Sequence, residues 1–382
     1  MPDIAQAMTG TDDPINGDVA ALRCDRALAD LRKGRWVLME GPRGAALVAA
    51  VDVDGEAPPV DGARAVAISS EKAADLGFAA PEGPLVLTPP ANGHGGPGLL
   101  AAAAVALVAG QRRGIAEDWD RAAAGPEVAA ALELLRRNQR MPAVLVRPVD
   151  RAAAADAVDR GALLSLDVTD VARLAEARAR SIRRAGDARV PLLDSVDARF
   201  VVYREAVDDV EHVAIVLGRP DPEGDVLVRM HSACLTGDLF GSLRCDCGEQ
   251  LRAAVAAIAE IGGGILLYLA QEGRGIGLTN KMRAYSLQDT GLDTLDADRC
   301  LGFGDDERQW EVAAAVLRDL GLKRVRLMTN NPDKIAALER HGIAVTERQA
   351  LQGRIHEHNE RYMRAKAERA GHLLDGIDGS AG

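Results

Sequence analysis

The sequence predicts an α/β (α+β) fold in two domains, and three observations support this prediction. The chain has 382 residues, more than the ~100 to 200 residues of one ordinary domain. Short apolar strands alternate with Ala-rich helical stretches. A proline and two aspartates interrupt this alternation at 189–199 (RVPLLDSVDAR), where we place the domain boundary. The predicted segments are a loose terminus 1–17, a first domain 18–190, a second domain 191–370 and a flexible tail 371–382.

Composition and charge limit the classes of partner. Hydrophobic residues make up 47% of the chain and charged residues 27%, a balance typical of globular proteins. The net charge of -11 argues against nucleic acid or an anionic membrane as the main partner, because both attract Lys and Arg. The chain begins with an acidic segment and contains no run of about 18 apolar residues. We therefore expect a cytoplasmic protein with no nucleic-acid or membrane partner.

The first predicted domain carries little sign of chemistry. Its predicted strands are 36–40, 46–53 and 84–87, and its lone His94 lies among glycines. Its ionisable residues are scattered, and its sequence contains no recognisable acid pair, metal-ligand cluster or phosphate loop. This pattern favours a structural or regulatory role.

The second predicted domain has a clearer alternation of strands and helices. Glycines end one helix, and a proline stands where the last one begins. The predicted strands are 199–204, 212–217, 225–230, 265–269 and 325–329, and the predicted helices are 248–260, 278–288, 306–320 and one that starts at 331–332.

Three of the five cysteines lie close together, at Cys234, Cys245 and Cys247. In a reducing compartment such a cluster indicates metal ligation rather than disulfides, and zinc is the metal that prefers thiolates at this spacing. With three protein ligands the fourth position stays open for water, which favours a hydrolytic site. The alternative is a structural zinc site completed by His231 or a distant residue.

Glycines and basic residues follow several predicted strands. The segment 271–281 (QEGRGIGLTNK) places three glycines between a strand and a helix, an arrangement that suits phosphate binding but also serves tight turns. Strand ends are where open α/β sheets bind ligands. The basic residues at these positions, each of which could alternatively be a solvated surface charge, are Arg229, Arg274, Lys281, Arg283, Arg308 and Lys334.

Four segments together resemble GTP cyclohydrolase II: 228–248 (VRMHSACLTGDLFGSLRCDCG), 266–289, 296–308 (DADRCLGFGDDER) and 325–335 (VRLMTNNPDKI). The resemblance implies a homodimeric hydrolase in the first step of riboflavin synthesis. Such an enzyme opens the imidazole ring of GTP and releases formate and pyrophosphate. The product is 2,5-diamino-6-(5-phosphoribosylamino)pyrimidin-4-one.

The resemblance also assigns roles to individual residues. Zinc ligands fall on the three cysteines, an acid/base role on Asp306 and a catalytic role on Tyr285. Arg308 either accepts the nucleotidyl group or, as its permanent charge favours, stabilises charge at the α-phosphate. Mg²⁺ is expected with the pyrophosphate. Contacts with GTP are implied for Arg229, Gln250, Glu272, Gly273, Arg274, Thr294, Thr329 and Lys334.

Two departures keep other functions open. The family's glutamate before the first zinc cysteine is Ala233 here, which leaves room for an enzyme acting on another nucleotide, as in pyrimidine catabolism, or for a nucleotide-sensing regulatory protein. The first domain resembles 3,4-dihydroxy-2-butanone 4-phosphate synthase, but 43–46 (RGAA) replaces that family's acidic metal-binding motif. We therefore expect a degenerate first domain, with the catalytic apparatus confined to roughly the second half of the chain.

Overall fold

The computed structural model describes residues 12–13, 17–42, 44–54, 58–78, 83–90, 96–111, 118–205 and 209–351. The chain forms two compact units. The first contains Met1–Ala177 and Thr279–Glu307, and the second contains Arg178–Leu278 and Arg308–Gly382. Helices and mixed sheets in two units confirm the predicted fold class.

The first unit places helices around a mixed sheet. Helix α1 begins where the Asp18 carboxylate accepts hydrogen bonds from the N–H groups of Ala20 and Ala21, and α4 begins with Pro126. The elements are β1 (Asp12–Asp13), β2 (Gly17–Asp18), α1 (Val19–Arg32), β3 (Val37–Glu40), β4 (Ala45–Ala50), β5 (Ala65–Ile68), α2 (Ser70–Asp75), β6 (Leu85–Thr88), α3 (Gly96–Val108), β7 (Asp120–Ala123), α4 (Pro126–Arg137), β8 (Ala143–Pro148), α5 (Arg151–Asp159), β9 (Leu164–Asp167), α6 (Val168–Ala172) and α7 (Leu174–Ser181).

The sheet of the first unit has seven strands in the order β7-β6-β5-β8-β4-β3-β9. Its pairs are antiparallel except β3 with β9. The inner strand β5 is buried along its whole length, and α1 and α4 bury Leu28, Leu31 and Leu135. The sheet therefore lies inside the unit as an apolar layer.

The second unit contains the remaining strands and most of the remaining helices. Two short turns, one π-helical at Leu235–Leu239 and one 3-10 at Glu272–Gly275, interrupt the alternation. The elements are β10 (Arg183–Arg189), β11 (Ala198–Arg204), β12 (Glu211–Gly218), β13 (Val226–Ser232), α8 (Cys247–Glu260), β14 (Gly263–Leu269), α9 (Leu278–Gln288), α10 (Thr294–Cys300), α11 (Glu311–Asp319), β15 (Arg324–Met328), α12 (Pro332–Arg340) and β16 (Ala344–Gln349). Of these, α9 from Thr279 onward and α10 group with the first unit, whereas α7 from Arg178 onward groups with the second.

The second sheet also has seven strands, in the order β10-β11-β12-β14-β13-β15-β16. The strands β14, β13, β15 and β16 run parallel, and the other pairs are antiparallel. The pleat of β14 sends Leu266 to the face covered by α8, and Ile265 and Leu267 to the face covered by α11 and α12. Helices on both faces bury the parallel part of the sheet.

Several predicted elements have the predicted positions, and one helix was placed wrongly. Helix α9 has the predicted bounds, and β11, β12 and β15 lie within two residues of theirs. The helix predicted at 306–320 begins only at Glu311. The Gln309 carbonyl accepts a hydrogen bond from the Gln271 side chain at 2.6 Å. This bond replaces the one that the carbonyl would accept within a helix beginning at residue 306.

The domain boundary also differs from the prediction. The exposed strand β10 pairs with β11, so a cut between 190 and 191 would run through the second sheet. Of the predicted terminal segments, 1–11, 14–16 and the whole of 371–382 lie outside the described residues, as does 352–370 of the predicted second domain, while Asp12–Asp13 pairs with Gly17–Asp18. Among the described helices, none has the length and apolar character needed to cross a membrane.

Strand β13 and helix α8 both lie so close to Gly264 of β14 that this position has no room for a side chain. An added Cβ would lie 2.5 Å from the Leu227 carbonyl oxygen and 2.8 Å from Cγ2 of Ile258. We expect Gly264→Ala to lower the free energy of unfolding of the second unit by about 1 to 3 kcal/mol, because the sheet must shift to accept the methyl group. Urea denaturation followed by circular dichroism measures the change.

The matched control is Gly186→Ala in the same sheet. A Cβ at Gly186 meets Val202 Cβ at 4.0 Å, an ordinary contact distance. Equal stability of the two variants would contradict the tight packing of α8 against β14.

Candidate active site

The parallel strands β14, β13 and β15 end at one edge of the second sheet. Because neighbouring parallel strands share their direction, the segments after Ser232, Leu269 and Met328 meet at that edge. The cysteines follow β13, the glycine segment follows β14, and Thr329 and Lys334 follow β15. The second unit therefore brings these predicted site residues together.

The three cysteines form a compact group of sulfur ligands. Sγ of Cys234 lies 3.6 Å from Sγ of Cys245, and all three sulfurs, with that of Cys247, lie within 4.8 Å of one another. None of them forms a disulfide. A tetrahedral zinc ion with Zn–S bonds of about 2.3 Å separates its sulfur ligands by about 3.8 Å. The spacing and the softness of the donors fit zinc.

The thiols hold their protons tightly in the absence of a cation. The pKa of Cys245 is raised to about 11, chiefly by its hydrogen bond with Cys234. The pKa of Cys247 is also raised well above its usual value, first by the hydrogen bond with Cys234 and then by that with Cys245. Adjacent thiolates repel one another in a buried site, and a bound divalent cation removes this penalty. The cluster is therefore electrostatically suited to a metal ion.

Two glycines make room for the cluster. The N–H of Gly237, in the π-helical turn, donates to Sγ of Cys234 at 3.4 Å. A Cβ on Gly237 would lie 2.8 Å from Sγ of Cys245 and 3.0 Å from Sγ of Cys234. A Cβ on Gly248, at the start of α8, would lie 2.1 Å from the Gly237 carbonyl oxygen. The turn can close around the sulfurs only with glycine at both positions.

Asp238 organises the surroundings of the first cysteine. Its carboxylate accepts hydrogen bonds from the Cys234 N–H at 2.9 Å and the Tyr268 hydroxyl at 3.0 Å, and it lies 3.0 Å from Nε2 of His231. Burial lowers the pKa of His231, which favours the neutral imidazole, and the ring stacks on Tyr268 at 5.6 Å. The structure thus pairs His231 with Asp238, and the candidate ligand group among the described residues consists of the three cysteines.

Arg229 is a buried cation near the cysteines. Its guanidinium donates to the Met328 carbonyl at 3.0 Å and to Oε1 of Gln250 at 2.7 Å, and Nε2 of Gln250 donates to Asp246 at 2.6 Å. Burial lowers the pKa of Arg229 to about 10, so the side chain remains charged at neutral pH. Arg229 and Gln250 are therefore held in one hydrogen-bonded chain.

The ring of Trp310 lies close to two of the predicted basic residues, and the sequence analysis did not predict a role for it. The Arg308 guanidinium lies 4.7 Å and the Lys334 Nζ 5.1 Å from the centre of its ring. The Lys334 Nζ also donates to the Met230 carbonyl at 2.8 Å. The negative face of an aromatic ring stabilises nearby cations. Trp310 thus supports two positive charges at this edge.

The glycine segment has an unusual backbone. Gly273 and Arg274 both have left-handed φ angles, 62° and 61°. This conformation is costly for arginine, and such strain concentrates at functional sites. The Glu272 carboxylate accepts from the Leu235 N–H at 2.6 Å and the Gly273 N–H at 3.0 Å, which joins this segment to the cysteine segment.

Thr329 is buried directly after the end of β15. Its N–H donates to the Gln349 carbonyl at 2.9 Å, and its hydroxyl accepts from the Asn331 N–H at 3.0 Å. Asn331 in turn caps α12. The buried hydroxyl therefore orders the turn that leads to Lys334.

Three predicted site residues belong to the first unit. Tyr285 lies on α9 with its ring 5.6 Å from the Lys281 Nζ, Thr294 is the first residue of α10, and Asp306 lies exposed in the loop after α10. The predicted phosphate-binding role of Arg283 finds no support, because its guanidinium pairs with both oxygens of Asp52 at 2.7 and 2.8 Å.

Comparison with known proteins identifies relatives along most of the chain. The family model for GTP cyclohydrolase II matches residues 183–350. A GTP cyclohydrolase-2 of Xylella fastidiosa is 39% identical over 94% of this chain and 89% of its own. A GTP cyclohydrolase-2 of Azospirillum brasilense is 47% identical over 65% of this chain and 66% of its own. A riboflavin biosynthesis protein RibBA of Bacillus subtilis is 55% identical, but the match spans only 44% of its length.

One of the solved structures that match is a synthase. It is RibBX, a two-domain 3,4-dihydroxy-2-butanone 4-phosphate synthase from A. baumannii, with 17% identity over 87% of this chain and all of its own. The TM-score of 0.31 is too low to establish a shared fold.

The crowding around Gly237 yields a prediction about metal binding. We expect Gly237→Ala to lower zinc affinity about 10- to 100-fold, as changes next to metal ligands commonly do, because the new methyl group would overlap the sulfurs. Competition with a chromogenic chelator measures the affinity. Gly186→Ala should bind zinc as the original chain does. Equal affinity of the two variants would show that the cysteine segment does not close as described.

Proposed function

The chain belongs to the GTP cyclohydrolase II family, and on that premise we propose that it hydrolyses GTP in the first step of riboflavin biosynthesis. The reaction opens the imidazole ring, releases formate and pyrophosphate, and yields 2,5-diamino-6-(5-phosphoribosylamino)pyrimidin-4-one. The observation that carries the proposal is the group of three close sulfurs beside buried cations at one sheet edge. A metal-dependent hydrolase of a highly charged nucleotide uses both features, a metal ion to activate water and cations to bind the phosphates.

We propose that the metal is zinc and that Cys234, Cys245 and Cys247 hold it. Bound zinc would supply Lewis acidity, which activates water for attack on the purine ring. The chain's own part is to keep three sulfurs in one place: Asp238 fixes the main chain of Cys234, and Gly237 leaves the space. The hydrogen bond from Asp238 and the space at Gly237 are both present without substrate.

Positive charge is the proposed means of binding the triphosphate. Arg308 and Lys334 rest against Trp310, and the guanidinium of Arg229 is held by a carbonyl and by Gln250. Cations that are fixed beforehand stabilise phosphate charge without reorganisation during the reaction. Mg²⁺ would accompany the pyrophosphate, because a hard dication bridges phosphate oxygens well.

The remaining roles are proposed from the family resemblance. Asp306 acts as acid and base, which its exposed carboxylate can do by exchanging protons with water and substrate. Tyr285 assists the ring chemistry, and Arg308 stabilises charge at the α-phosphate. Contacts with base, ribose and phosphates are proposed for Gln250, Glu272, Gly273, Arg274, Thr294 and Thr329.

Ala233 is the observation that favours a second candidate. It follows β13 immediately before the first cysteine, and its N–H donates to the Leu269 carbonyl at 2.8 Å. The methyl side chain offers no hydrogen bond to a substrate at this point. An enzyme of another nucleotide pathway would have the same metal site with a different base preference.

We further propose a cytoplasmic homodimer. The exposed side chains of Leu239, Phe240 and Leu243 next to the cysteine segment support an assembly that covers them. The net charge of -11 argues against nucleic acid and anionic membranes as partners, because like charges repel. It supports a location away from a membrane surface.

The central experiment incubates the zinc-loaded chain with GTP and Mg²⁺. We expect one formate and one pyrophosphate per GTP consumed, with the diaminopyrimidinone phosphate identified by mass spectrometry. Cys245→Ser should abolish formate release, because a hydroxyl replaces one of three thiolates. Cys24→Ser, the same exchange in α1, should leave the rate unchanged.

The outcomes separate the candidates. Consumption of a different nucleotide, with GTP untouched, would favour the second candidate and implicate Ala233. Tight GTP binding without any product would indicate a sensor. Full formate release by zinc-free Cys245→Ser would contradict the metal site.

Trp310 provides a separate prediction about substrate binding. Trp310→Leu removes the ring face under Arg308 and Lys334, so we expect kcat/KM for GTP to fall about tenfold. Trp310→Phe keeps an aromatic face and should retain most of it. Initial rates of formate release measure both variants, and zinc content should stay constant. Equal losses in the two variants would mean that the ring matters by its size and not by its interaction with cations.

A further inference from the structure

The segment Thr279–Glu307 lies between β14 and β15 in sequence but groups with the first unit in space. It carries α9 and α10, and with them Tyr285, Thr294 and Asp306. Its contacts with the rest of the first unit run from one end of the segment to the other. These contacts bear on the first half of the chain, which was expected to take no part in the reaction.

The start of the segment is fixed by α9. The Arg283 guanidinium donates to both carboxylate oxygens of Asp52, at 2.7 and 2.8 Å, and the two side chains are only 23% and 13% exposed. Asn280 donates to the Gln139 carbonyl at 3.1 Å and accepts from Arg283 at 2.8 Å. A bidentate ion pair fixes orientation as well as distance, so α9 cannot rotate freely.

The middle of the segment is fixed by α10 and the residues after it. The Ser69 hydroxyl, which caps α2, donates to the Gly302 carbonyl at 2.7 Å. The thiol of Cys300 donates to the Gly110 carbonyl at 2.8 Å and lies 3.7 Å from the Lys72 Nζ. These groups are buried, so water cannot replace the bonds without opening the contact.

Charge is also balanced within this contact. Lys72 forms an ion pair with Asp75 at 3.1 Å, and the two side chains are only 3% and 2% exposed. Glu307 is the last residue of the segment. Its Oε1 lies 3.7 Å from Nη1 of Arg136 in the first unit, and the same Nη1 lies 3.8 Å from Oε1 of Glu71. Separating the segment from the first unit would expose or unpair these groups.

We propose that the first unit is a scaffold for this segment, and that the Asp52–Arg283 pair holds it in the conformation that turnover requires. Asp52 is thereby a positioning residue for Tyr285, which is on the same helix as Arg283. The inference rests on the proposed function only where it assigns the reaction to GTP. The holding of the segment is a separate physical property that can be measured without substrate.

The test uses the full zinc-loaded chain with Asp52→Asn, which removes the charge while keeping the shape. Hydrogen exchange followed by mass spectrometry should show faster exchange in peptides from 279–307 and unchanged exchange around the cysteines. We expect kcat for GTP to fall about tenfold, with a smaller change in KM and unchanged zinc content. The matched control is Asp30→Asn, which breaks an aspartate–arginine pair with Arg35, 2.9 Å long and outside the segment.

Charge exchange tests the pair itself. The double variant Asp52→Arg with Arg283→Asp should recover part of the lost kcat and of the lost protection, because the attraction is restored in reverse. Each single reversal should be worse than Asp52→Asn, since it places like charges together. Recovery of this kind is not expected if either residue acts only through general stability.

Different results overturn different claims. If Asp52→Asn accelerates exchange in 279–307 but kcat stays at the original value, the positioning role is refuted while the proposed function stands. If exchange in 279–307 does not change, the scaffold is refuted. If the original chain leaves GTP untouched, the proposed function fails, and the exchange data still decide whether the first unit holds the segment.

Discussion

The common direction of β14, β13 and β15 is the constraint on which the site in the second unit depends. Parallel strands deliver their following segments to one edge, so residues from three separate parts of the sequence arrive within reach of one another. The Glu272 carboxylate then ties the segment after β14 to the segment after β13. The sheet sets the direction in which the segments leave, and short polar contacts fix their positions relative to one another.

Buried charge is tolerated at this edge only because each group has a defined partner. Arg229 and Lys334 each donate to a main-chain carbonyl, and the cation–π contacts with Trp310 support Lys334 and Arg308. The thiols, in contrast, resist ionisation: the pKa values of Cys245 and Cys247 are raised, first by their hydrogen bonds with Cys234 and also because neighbouring thiolates repel one another. The same sheet edge thus keeps its cations charged and its thiols protonated until a metal ion binds.

Much of this arrangement could be predicted from local sequence. The cysteines are neighbours along the chain, β13 and β14 contain short apolar runs, and the glycine segment precedes α9, so their positions followed from local sequence. The resemblance to GTP cyclohydrolase II, based on long motifs in order, is confirmed by the family model and by a relative that matches nearly the whole chain. Local pattern and family motif agreed here because the chemistry is concentrated in short segments.

What escaped prediction depends on contacts between distant residues. The late start of α11 reflects a hydrogen bond from Gln271 to a carbonyl 38 positions away. The edge strand β10 is exposed along its length, so it has no apolar periodicity to reveal it. Trp310 and Asp238 matter through partners that spacing does not indicate, namely two cations in one case and a cysteine N–H with a tyrosine hydroxyl in the other.

The proposed scaffold role of the first unit depends on two kinds of contact. Its contacts with 279–307 use main-chain carbonyls at Gln139 and Gly110 as acceptors, and it contributes the side chains of Asp52 and Ser69. Carbonyl acceptors depend on the path of the main chain and persist when side chains change. A change of residues at 43–46 would leave these contacts in place, since none of the groups that make them lies in that segment.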